Sequence, residues 1–337
     1  WLLRIMYQEP SGVWIMAYTT IDNPELYFQC KIWSGNATDD TSITLDGSEN
    51  MQPDFVWTKR RNASTNHDLW DAVRGALEQM ASNNNEAEAT ISSSLKSFNS
   101  DGFTVGTNTN LNASGGTYVA WCWKESATAG FDILTYTGNA TNRTISHNLS
   151  AVPQVVIVKR RDSATAWSNL HLNGSGSTHR MVLNDNTAKE DDATFWQDTD
   201  PTSSVFSLGT SSSTNVNTGT YVAYCFAEKQ GFSKFGTYVG NGNNSGPYVY
   251  TGFRPAMVIC KGLASNREWV MHDNKRDAEN VVDGTLYANE TDAEGTGTAR
   301  MDFLSNGFKI REDGNNWNAN TETYIYMAFA EQPFVNS

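Results

Sequence analysis

Short apolar segments bounded by Gly, Asn, Ser and Thr recur along the chain, and most have the length and composition of β-strands. The run TYVAYCF at Thr220–Phe226 is apolar at nearly every position, which predicts a strand buried on both faces at the centre of a sheet or sandwich. Segments such as PQVVIVK from Pro153 begin with proline, which strands tolerate at their first residue. The pattern therefore predicts a mainly all-β, antiparallel protein.

One segment, HDLWDAVRGALEQMA at positions 67–81, has helical spacing instead. Its apolar residues recur three and four positions apart and would form one face of a helix. These residues are Leu69, Trp70, Val73, Leu77 and Met80. Gly75 in the middle would cost about 1 kcal/mol relative to alanine. This is the one segment whose spacing predicts a helix, and the other parts of the chain lack a counterpart.

The chain repeats itself three times with a period close to 100 residues. The segment PDFVWTK from Pro53 returns as PQVVIVK from Pro153 and as PAMVICK from Pro255, at offsets of 100 and 102 residues. Three tyrosines in runs such as TYVAWCW are spaced 103 residues apart. They are Tyr118, Tyr221 and Tyr324. Because independent anchors share one period, we interpret the chain as three copies of one unit.

The repeats define units at residues 28–124, 131–229 and 232–334. Each unit, at about 100 residues, is large enough to bury its own core. The sequence therefore predicts three tandem antiparallel β-sandwich-like domains, arranged as beads along the chain. Residues 1–27 match no full unit, and we expect them to be the end of a preceding domain or a linker. Cys122 and Cys225 hold equivalent positions in different units, so we expect them to be too far apart for a disulfide.

Composition and charge exclude several classes of protein. Lys and Arg total 24 against 37 Asp and Glu, which gives a net charge of −13. Such a chain lacks the general basic face with which proteins bind nucleic acid independently of sequence. Aromatic residues make up 12% of the chain, enough for a large core, which excludes a disordered chain. No apolar run approaches the ~18 residues of a membrane span.

A polar set that recurs between units is the main candidate for a site. The pattern Asp-x-x-Arg occurs in the first and third units after a tryptophan, and the middle unit has tryptophan and histidine in that region. The set is Trp70, Asp71, Arg74, Trp167, His171, Trp269, Asp273 and Arg276. Downstream, each unit has an asparagine followed by a glutamate. The pairs are Asn83 and Glu88, Asn184 and Glu190, and Asn289 and Glu294.

Two interpretations of this polar set compete. In one, each unit holds a ligand pocket, in which tryptophan stacks on a sugar and the polar groups hydrogen-bond to it. In the other, the residues form a network of salt bridges and loop-capping hydrogen bonds that holds one long loop in place. We favour the network, because a set shared by units that differ elsewhere is usually part of the scaffold.

Two acidic clusters and two basic runs carry weaker signals. The clusters KEDD and NETDAE supply the oxygen ligands that Ca²⁺ prefers, but neither has the spacing of a calcium loop. We therefore favour solvated loops, with calcium as the weaker alternative and no other cofactor predicted. The candidate ligands are Asp191, Asp192, Asp292 and Glu294. The KRR runs at 59–61 and 159–161 are expected to be solvated strand ends, with recognition of phosphate or sialic-type groups as the weaker alternative.

No catalytic motif is present in the sequence. HExxH, GxSxG and Cys-x-x-Cys patterns and phosphate-binding loops are all absent. The candidate carboxylates lie in polar loops, and the most regular polar set recurs in more than one unit. We therefore expect that no single residue performs catalysis and that the protein is not an enzyme.

Three long segments of the chain resemble the repeat region of a virion protein family of tailed bacteriophages. They are NHDLWDAVRGALEQMASNNNEAEATISSSLKSFNSDGFTVGTNTNLNASGGTYVAWCWK, GFSKFGTYVGNGNNSGPYVYTGFRPAMVICK and MDFLSNGFKIREDGNNWNANTETYIYMAFAEQPF. The resemblance covers about residues 25–335. In that family the region lies near the C-terminus of tail or tail-fibre-like proteins, often after a SPRY-type or concanavalin-like lectin domain. The resemblance implies a place on the virion, at the tail or particle surface.

The resemblance and the polar, aromatic loops favour a non-enzymatic tail-fibre or surface adhesin segment. Its partners would be other virion proteins and a host surface receptor, polysaccharide in particular, and the way phage fibres assemble implies a homotrimer. One alternative is a purely architectural virion module, either a capsid decoration or a filament protomer. The third hypothesis is a glycan-degrading tailspike, which would need two carboxylates about 5–10 Å apart in a cleft.

Overall fold

The structure, a computed structural model, describes residues 6–8, 14–16 and 19–330. Strands β1 (Met6–Gln8) and β2 (Trp14–Met16) pair antiparallel, and a 3-10 helix at Pro24–Leu26 leads into the first unit. The predicted end of a preceding domain at residues 1–27 lies largely outside the described residues. So does the end of the third unit, at residues 331–334.

Antiparallel strands make up most of the regular secondary structure in the described chain. The first unit contains β3 (Phe28–Ser34), β4 (Thr41–Thr44), β5 (Phe55–Arg60), β6 (His67–Asp71), β7 (Gly75–Ala81), β8 (Ala89–Thr90), β9 (Leu95–Asn99), β10 (Gly102–Val105), α1 (Thr109–Asn112) and β11 (Thr117–Trp123). The second contains β12 (Phe131–Thr137), β13 (Arg143–Ser146), β14 (Val155–Arg160), β15 (Ser168–His171), β16 (His179–Val182), β17 (Glu190–Asp191), α2 (Ala193–Trp196), β18 (Val205–Leu208), α3 (Ser212–Asn215) and β19 (Thr220–Phe226). The third contains β20 (Ser233–Val239), β21 (Tyr248–Tyr250), β22 (Pro255–Gly262), β23 (Val270–Asp273), β24 (Leu286–Tyr287), β25 (Met301–Leu304), β26 (Gly307–Ile310) and β27 (Thr323–Ala330). The prediction of an all-β, sandwich-type protein is confirmed. Among the described helices, none has the length and apolar character needed to cross a membrane.

Each unit pairs a large inner sheet with a small outer sheet. The inner sheets have the strand orders β3-β11-β5-β6-β7-β8, β12-β19-β14-β15-β16-β17 and β20-β27-β22-β23-β24. The outer sheets have the orders β4-β10-β9, β13-β18 and β21-β26-β25. In the first unit, Val56 and Cys122 of the inner sheet pack against Ile43 and Phe103 of the outer sheet. Burial of apolar side chains between the two sheets therefore stabilises each sandwich.

Equivalent strands carry equivalent side chains in the three units. The repeated tyrosines occupy matching positions near the start of β11, β19 and β27, which lie between two neighbours in their sheets. Each hydroxyl donates to a backbone carbonyl nine residues earlier. The bonds join Tyr118 to Thr109 (2.9 Å), Tyr221 to Ser212 (2.9 Å) and Tyr324 to Asn315 (2.5 Å). The repeat seen in the sequence is therefore a repeat of contacts as well as of strands.

The three units share a central core, in addition to the separate sandwich cores of the first and second units, and do not lie as separate beads. Trp123, Phe226 and Phe329 hold equivalent positions on their central strands, and their ring centroids lie 5.4–6.4 Å apart. We call these three residues the central aromatic cluster. The inner sheets of all three units contribute to the hydrophobic core around it. One face of each inner sheet packs on the outer sheet of its own unit, and the other face packs on the neighbouring units. The period of the repeat shows that the strands are apolar but not which elements cover their second face.

Hydrogen bonds close the three units into a ring. Trp167 Nε1 of the second unit donates to the Ala81 carbonyl of the first at 2.8 Å. Trp269 Nε1 of the third donates to the Val182 carbonyl of the second at 2.9 Å. Ser82 of the first unit donates to the carbonyl of Ala288 in the third at 2.6 Å. Each unit therefore contacts both of the others.

The predicted helix at positions 67–81 is wrong, since this segment forms β6 and β7. Gly75 begins β7 with a φ of 111°, a conformation that an α-helix does not contain. Asp71 Oδ1 accepts a hydrogen bond from Arg74 N at 2.8 Å and so stabilises the turn between the strands. Val73 lies on this turn and is exposed, so the apparent apolar face of a helix is interrupted. The four cysteines are free and buried, including Cys122 and Cys225.

Candidate functional site

An asparagine in each unit holds the start of the strand that carries the polar set. In every case its side-chain Oδ1 accepts a hydrogen bond from a backbone amide. The bonds are Asn83 with His67 (2.7 Å), Asn184 with Trp167 (2.8 Å) and Asn289 with Trp269 (2.8 Å). These bonds align the units and show that Trp167 and Trp269 are equivalent to His67. Trp70 therefore occupies a different position and lies in the sandwich core of the first unit.

In the first unit, Asp71 and Arg74 form an ion pair whose side chains are fully buried. Arg74 Nη1 also donates to Glu88 Oε2 at 2.9 Å, and Glu88 accepts a second bond, of 2.7 Å, from Arg161 of the second unit. Tyr224 of the second unit donates to Asp71 Oδ2 at 2.7 Å. Burial alone would raise the pKa of Glu88, but hydrogen bonds from the two arginines hold it below its ordinary value. This network joins the first unit to the second.

The third unit repeats the network and joins itself to the first. Arg276 Nε donates to Asp273 Oδ2 at 2.6 Å, and Arg276 Nη1 donates to Glu294 Oε1 at 2.7 Å. Arg61 Nε of the first unit also donates to Glu294, at Oε2, over 2.7 Å. Trp121 Nε1, also from the first unit, donates to Asp273 Oδ2 at 2.9 Å. Trp121 therefore has the role that a tyrosine hydroxyl has at the other junction.

The middle unit departs from this network at every position. His171 stands where the others have aspartate, because it pairs with the first residue of β14 as Asp71 pairs with that of β5. Its Nε2 donates to the backbone carbonyl of Tyr326, 3.2 Å away in the third unit. Gly174 replaces the arginine, and a Cβ placed there would meet Ile325 Cγ2 at 2.1 Å. The third unit packs into the space that an arginine would need.

The predicted equivalence of Glu190 with Glu88 is wrong by one position. The backbone amide of Glu88 donates to the carbonyl of Arg161 at 2.8 Å. The backbone amide of Lys189 makes the corresponding bond, to the carbonyl of Leu263, at 3.1 Å. Glu190 is exposed and pairs instead with Arg180 at 2.7 Å. In the sequence, Glu190 was aligned with Glu88 because both are glutamates. The backbone hydrogen bonds show that Lys189 holds the equivalent position.

These geometries place the sequence-predicted set inside the scaffold. The side chains of Trp70, Trp167 and Trp269 are at most 1% exposed, so none of these rings has a free face for a sugar. The two Asp-Arg pairs are buried and fully engaged with each other and with neighbouring units. The arrangement supports the network interpretation over one ligand pocket in each unit.

The basic runs were predicted to be solvated strand ends, and this prediction is wrong. Lys59 and Lys159 are fully buried, and Lys261, their equivalent in the third unit, is 1% exposed. Lys159 Nζ donates to the carbonyl of Asn85 in the first unit at 3.2 Å, and Lys261 Nζ donates to that of Thr187 in the second at 3.1 Å. Burial lowers the pKa of all three lysines to about 8. The runs therefore stabilise the junctions between units.

The candidate calcium ligands do not converge. Asp192 caps helix α2 by accepting a hydrogen bond from Thr194 N at 2.9 Å, while Asp191 and Asp292 are exposed. Glu294 is already paired with two arginines. In the part of the chain that the structure describes, no group of three or more His, Cys, Asp or Glu side chains is placed to hold a metal ion.

We expect His171 to make the protein sensitive to mild acid. Burial lowers its pKa to about 4, so the folded state takes up its proton far less readily than the unfolded state. The unfolded histidine has a pKa near 6.5, so its contribution to stability is complete above that pH and is lost as the pH falls towards 4. At pH 5 the loss is about 2 kcal/mol. Urea unfolding measures the drop in the free energy of unfolding between pH 7 and pH 5. In His171→Gln this drop should be smaller by about 2 kcal/mol. An unchanged dependence would contradict the assignment.

The outer sheet of the third unit exposes two aromatic side chains that the other units lack. Tyr248 is 45% exposed and Tyr250 is 59% exposed, and they are the exposed aromatic residues within residues 19–330. They flank buried Val249, which pairs with a phenylalanine of the next strand as Ile43 and Ile145 do in their units. The equivalent exposed residues elsewhere are Ser42 and Thr44, and Thr144 and Ser146. We call Tyr248 and Tyr250 the tyrosine face.

Polar groups surround the tyrosine face. The Tyr248 hydroxyl donates to Asn306 Oδ1 at 2.6 Å, which fixes the orientation of the ring. Lys309 lies opposite Tyr248 on the neighbouring strand. The Nζ of Lys309 donates to the carbonyl of Gly246 at 3.2 Å. The adjoining loop at 241–245 is exposed and rich in asparagine. No sequence pattern pointed to the two tyrosines, which stand out only when the three units are aligned by strand register.

Comparison with known proteins assigns the chain to a family. A family model described as Domain of unknown function (DUF7483) matches residues 23–333. That range includes the three units, except residue 334, and the junctions between them. No curated protein matches the chain. Because the family model covers most of the sequence, the chain belongs to the DUF7483 family.

Proposed function

We propose that this chain is a non-enzymatic attachment segment of a phage virion, located at a tail fibre or the particle surface. In this proposal the ring of three units is a rigid scaffold, and the tyrosine face contacts glycans of the host surface. The observation that carries the proposal is the exposure of Tyr248 and Tyr250 at positions where the other two units have serine and threonine. Exposed aromatic residues clustered on one unit suit binding better than folding.

The scaffold half of the proposal rests on how the ionisable groups are used. The carboxylates of Asp71 and Asp273 are fully buried, and each accepts hydrogen bonds from an arginine and from a neighbouring unit. A carboxylate that acts as a catalytic acid, base or nucleophile must reach its substrate. These two groups are better placed to hold the units together than to perform hydrolysis.

The glycan half rests on the chemistry of the tyrosine face. A tyrosine ring offers a flat apolar surface that can cover the C–H face of a sugar, while its hydroxyl hydrogen-bonds at the edge. Asn306, Lys309 and the asparagine-rich loop next to the rings add donors and acceptors for sugar hydroxyls. Tyrosine also loses little conformational entropy on binding, because it has few rotatable bonds.

The double variant Tyr248→Ala, Tyr250→Ala tests the proposal. We expect its binding to host cells and to extracted surface polysaccharide to fall at least about tenfold, because aromatic anchors commonly contribute more than 1 kcal/mol each. The matched control is Thr144→Ala with Ser146→Ala, which alters the equivalent positions of the second unit. The control should bind like the unmodified chain. Equal binding by the tyrosine variant and the control would refute a role for this face.

An architectural virion module is the second candidate, and the position of β21 favours it. This strand lies at the edge of its sheet and carries both exposed tyrosines, so a neighbouring virion protein could pair with it. In this case the tyrosine variant would assemble poorly onto particles, and the purified chain would bind neither host cells nor polysaccharide. A homotrimer is an expectation from the family resemblance, and sedimentation of the purified chain tests it.

A further inference from the structure

A polar cavity of about 580 Å³ lies where the three units meet beside β16 and the loop at 184–190. The first unit contributes Asn85, the second contributes Arg180, Asn184, Thr187 and Lys189, and the third contributes Ser265. We call it the junction pocket. Its volume falls within the range of small-ligand sites.

The charge at one position of the network is reversed beside this pocket. Lys189 stands where the other units have Glu88 and Glu294, as the matching backbone hydrogen bonds show. At the other two junctions the glutamate is held between two arginines. At this junction the arginines are replaced by Gly174 and Leu263, so the whole set of ionic partners has changed. The substitution leaves a cation in place of an ion-paired carboxylate.

Both cations of the junction pocket have unused hydrogen-bonding capacity. Lys189 makes no side-chain hydrogen bond or ion pair with any residue of the described chain. Arg180 pairs through Nη2 with Glu190 at 2.7 Å, and its guanidinium lies over the Phe195 ring at 4.5 Å. These contacts hold the group in place, while its buried Nε has no partner in the described residues. Because Nε has almost no accessible surface, a ligand in the pocket would meet the exposed part of the Arg180 side chain, which is 21% exposed.

The remaining groups of the junction pocket favour a hydroxyl-rich ligand. Asn85, Thr187 and Ser265 supply neutral amide and hydroxyl groups. The two carboxylates that also line the pocket are already occupied, since Glu190 pairs with Arg180 and Asp185 accepts a hydrogen bond from the backbone of Thr187 at 3.0 Å. They would repel a ligand that carries many negative charges. A ligand with a single anionic group and several hydroxyls suits this lining.

We propose that the junction pocket binds a sugar that carries one anionic group, a carboxylate or a phosphate, and that Lys189 is its main ionic contact. The exposed N–H groups of Arg180 donate a second bond, and the amide and hydroxyl side chains bind the sugar hydroxyls. This site is separate from the tyrosine face and does not depend on the function proposed for it.

Titration of the ¹⁵N-labelled full chain with sodium glucuronate, glucose 1-phosphate and glucose tests the proposal by NMR. We expect saturable shifts of the Thr187 and Ser265 amides with one or both anionic sugars, and at least about tenfold weaker binding of glucose. Which anionic sugar binds more tightly identifies the ligand's charged group. Glucose binding as tightly as both anionic sugars, or no saturable shift with any probe, would overturn the proposal.

Lys189→Gln should weaken binding of the anionic sugar at least about tenfold, because a hydrogen-bonded charge is replaced by a neutral amide. The control Lys96→Gln removes a lysine that pairs with Asp39 and Asp40 on the outer sheet of the first unit, and it should bind normally. Thermal unfolding followed by circular dichroism checks that both variants are folded. Unchanged affinity in folded Lys189→Gln would contradict the assignment. The tyrosine double variant should retain this binding, so failure of one proposal can be distinguished from failure of the other.

Discussion

Replacing Asp71 with alanine is expected to lower the free energy of unfolding by about 3–5 kcal/mol. The substitution leaves the Arg74 guanidinium buried beside an empty space, with Glu88 as its remaining ionic partner. It also removes the acceptor of the Tyr224 hydroxyl, a bond that joins the first unit to the second. Urea unfolding monitored by tryptophan fluorescence measures the loss, and Asp273→Ala at the equivalent junction should show a loss of similar size.

The matched control is Asp162→Ala, which breaks a partly exposed ion pair with Arg160. Exposed pairs contribute at most about 1 kcal/mol, so this variant should differ little from the unmodified chain. A loss below about 1 kcal/mol in Asp71→Ala would show that the buried network does not stabilise the fold. Incubation with host polysaccharide tests the enzymatic alternative. Released oligosaccharide that disappears in Asp71→Ala or Asp273→Ala, with stability unchanged, would show that the carboxylate is catalytic.

The strands of the fold were predictable because they carry local signals. Apolar runs such as that of β19, prolines before β5 and β14, and the repeated tyrosines all mark elements that the structure contains. A period of about 100 residues was enough to match the central strands of the three units. These features depend on residues that are close in the sequence, so one unit could be compared with the next without a structure.

Features that depend on contacts between units were not predictable in this way. A fully apolar strand indicates burial on both faces but does not identify what covers the second face, which here is the neighbouring units. Lys59 and Lys159 appear in sequence as strand-end charges, yet carbonyl groups and junction contacts surround them. The segment at 67–81 satisfied helical spacing by coincidence, because a hairpin with a turn at 72–74 can place apolar residues at the same intervals.

Differences between the three units carry more functional information than their similarities. The conserved geometry of the two ionic networks is accounted for by stability, since both are buried at junctions. The tyrosine face and Lys189 are departures from the repeat at exposed or cavity-lining positions. A side chain that changes in one copy at an exposed or cavity-lining position is therefore the better indicator of binding.

Replacing Phe329 with alanine is expected to destabilise all three units together, by about 3–5 kcal/mol, because it removes one ring of the central aromatic cluster. Phe329 is 1% exposed and contacts Trp123 and Phe226, which belong to the other two units. Hydrogen exchange measured by mass spectrometry should show reduced protection of β11 and β19 as well as β27. Val239→Ala, at an exposed position of the same unit, should leave protection unchanged. If Phe329→Ala reduces protection in the third unit alone, the units are independent domains and the shared core does not couple them.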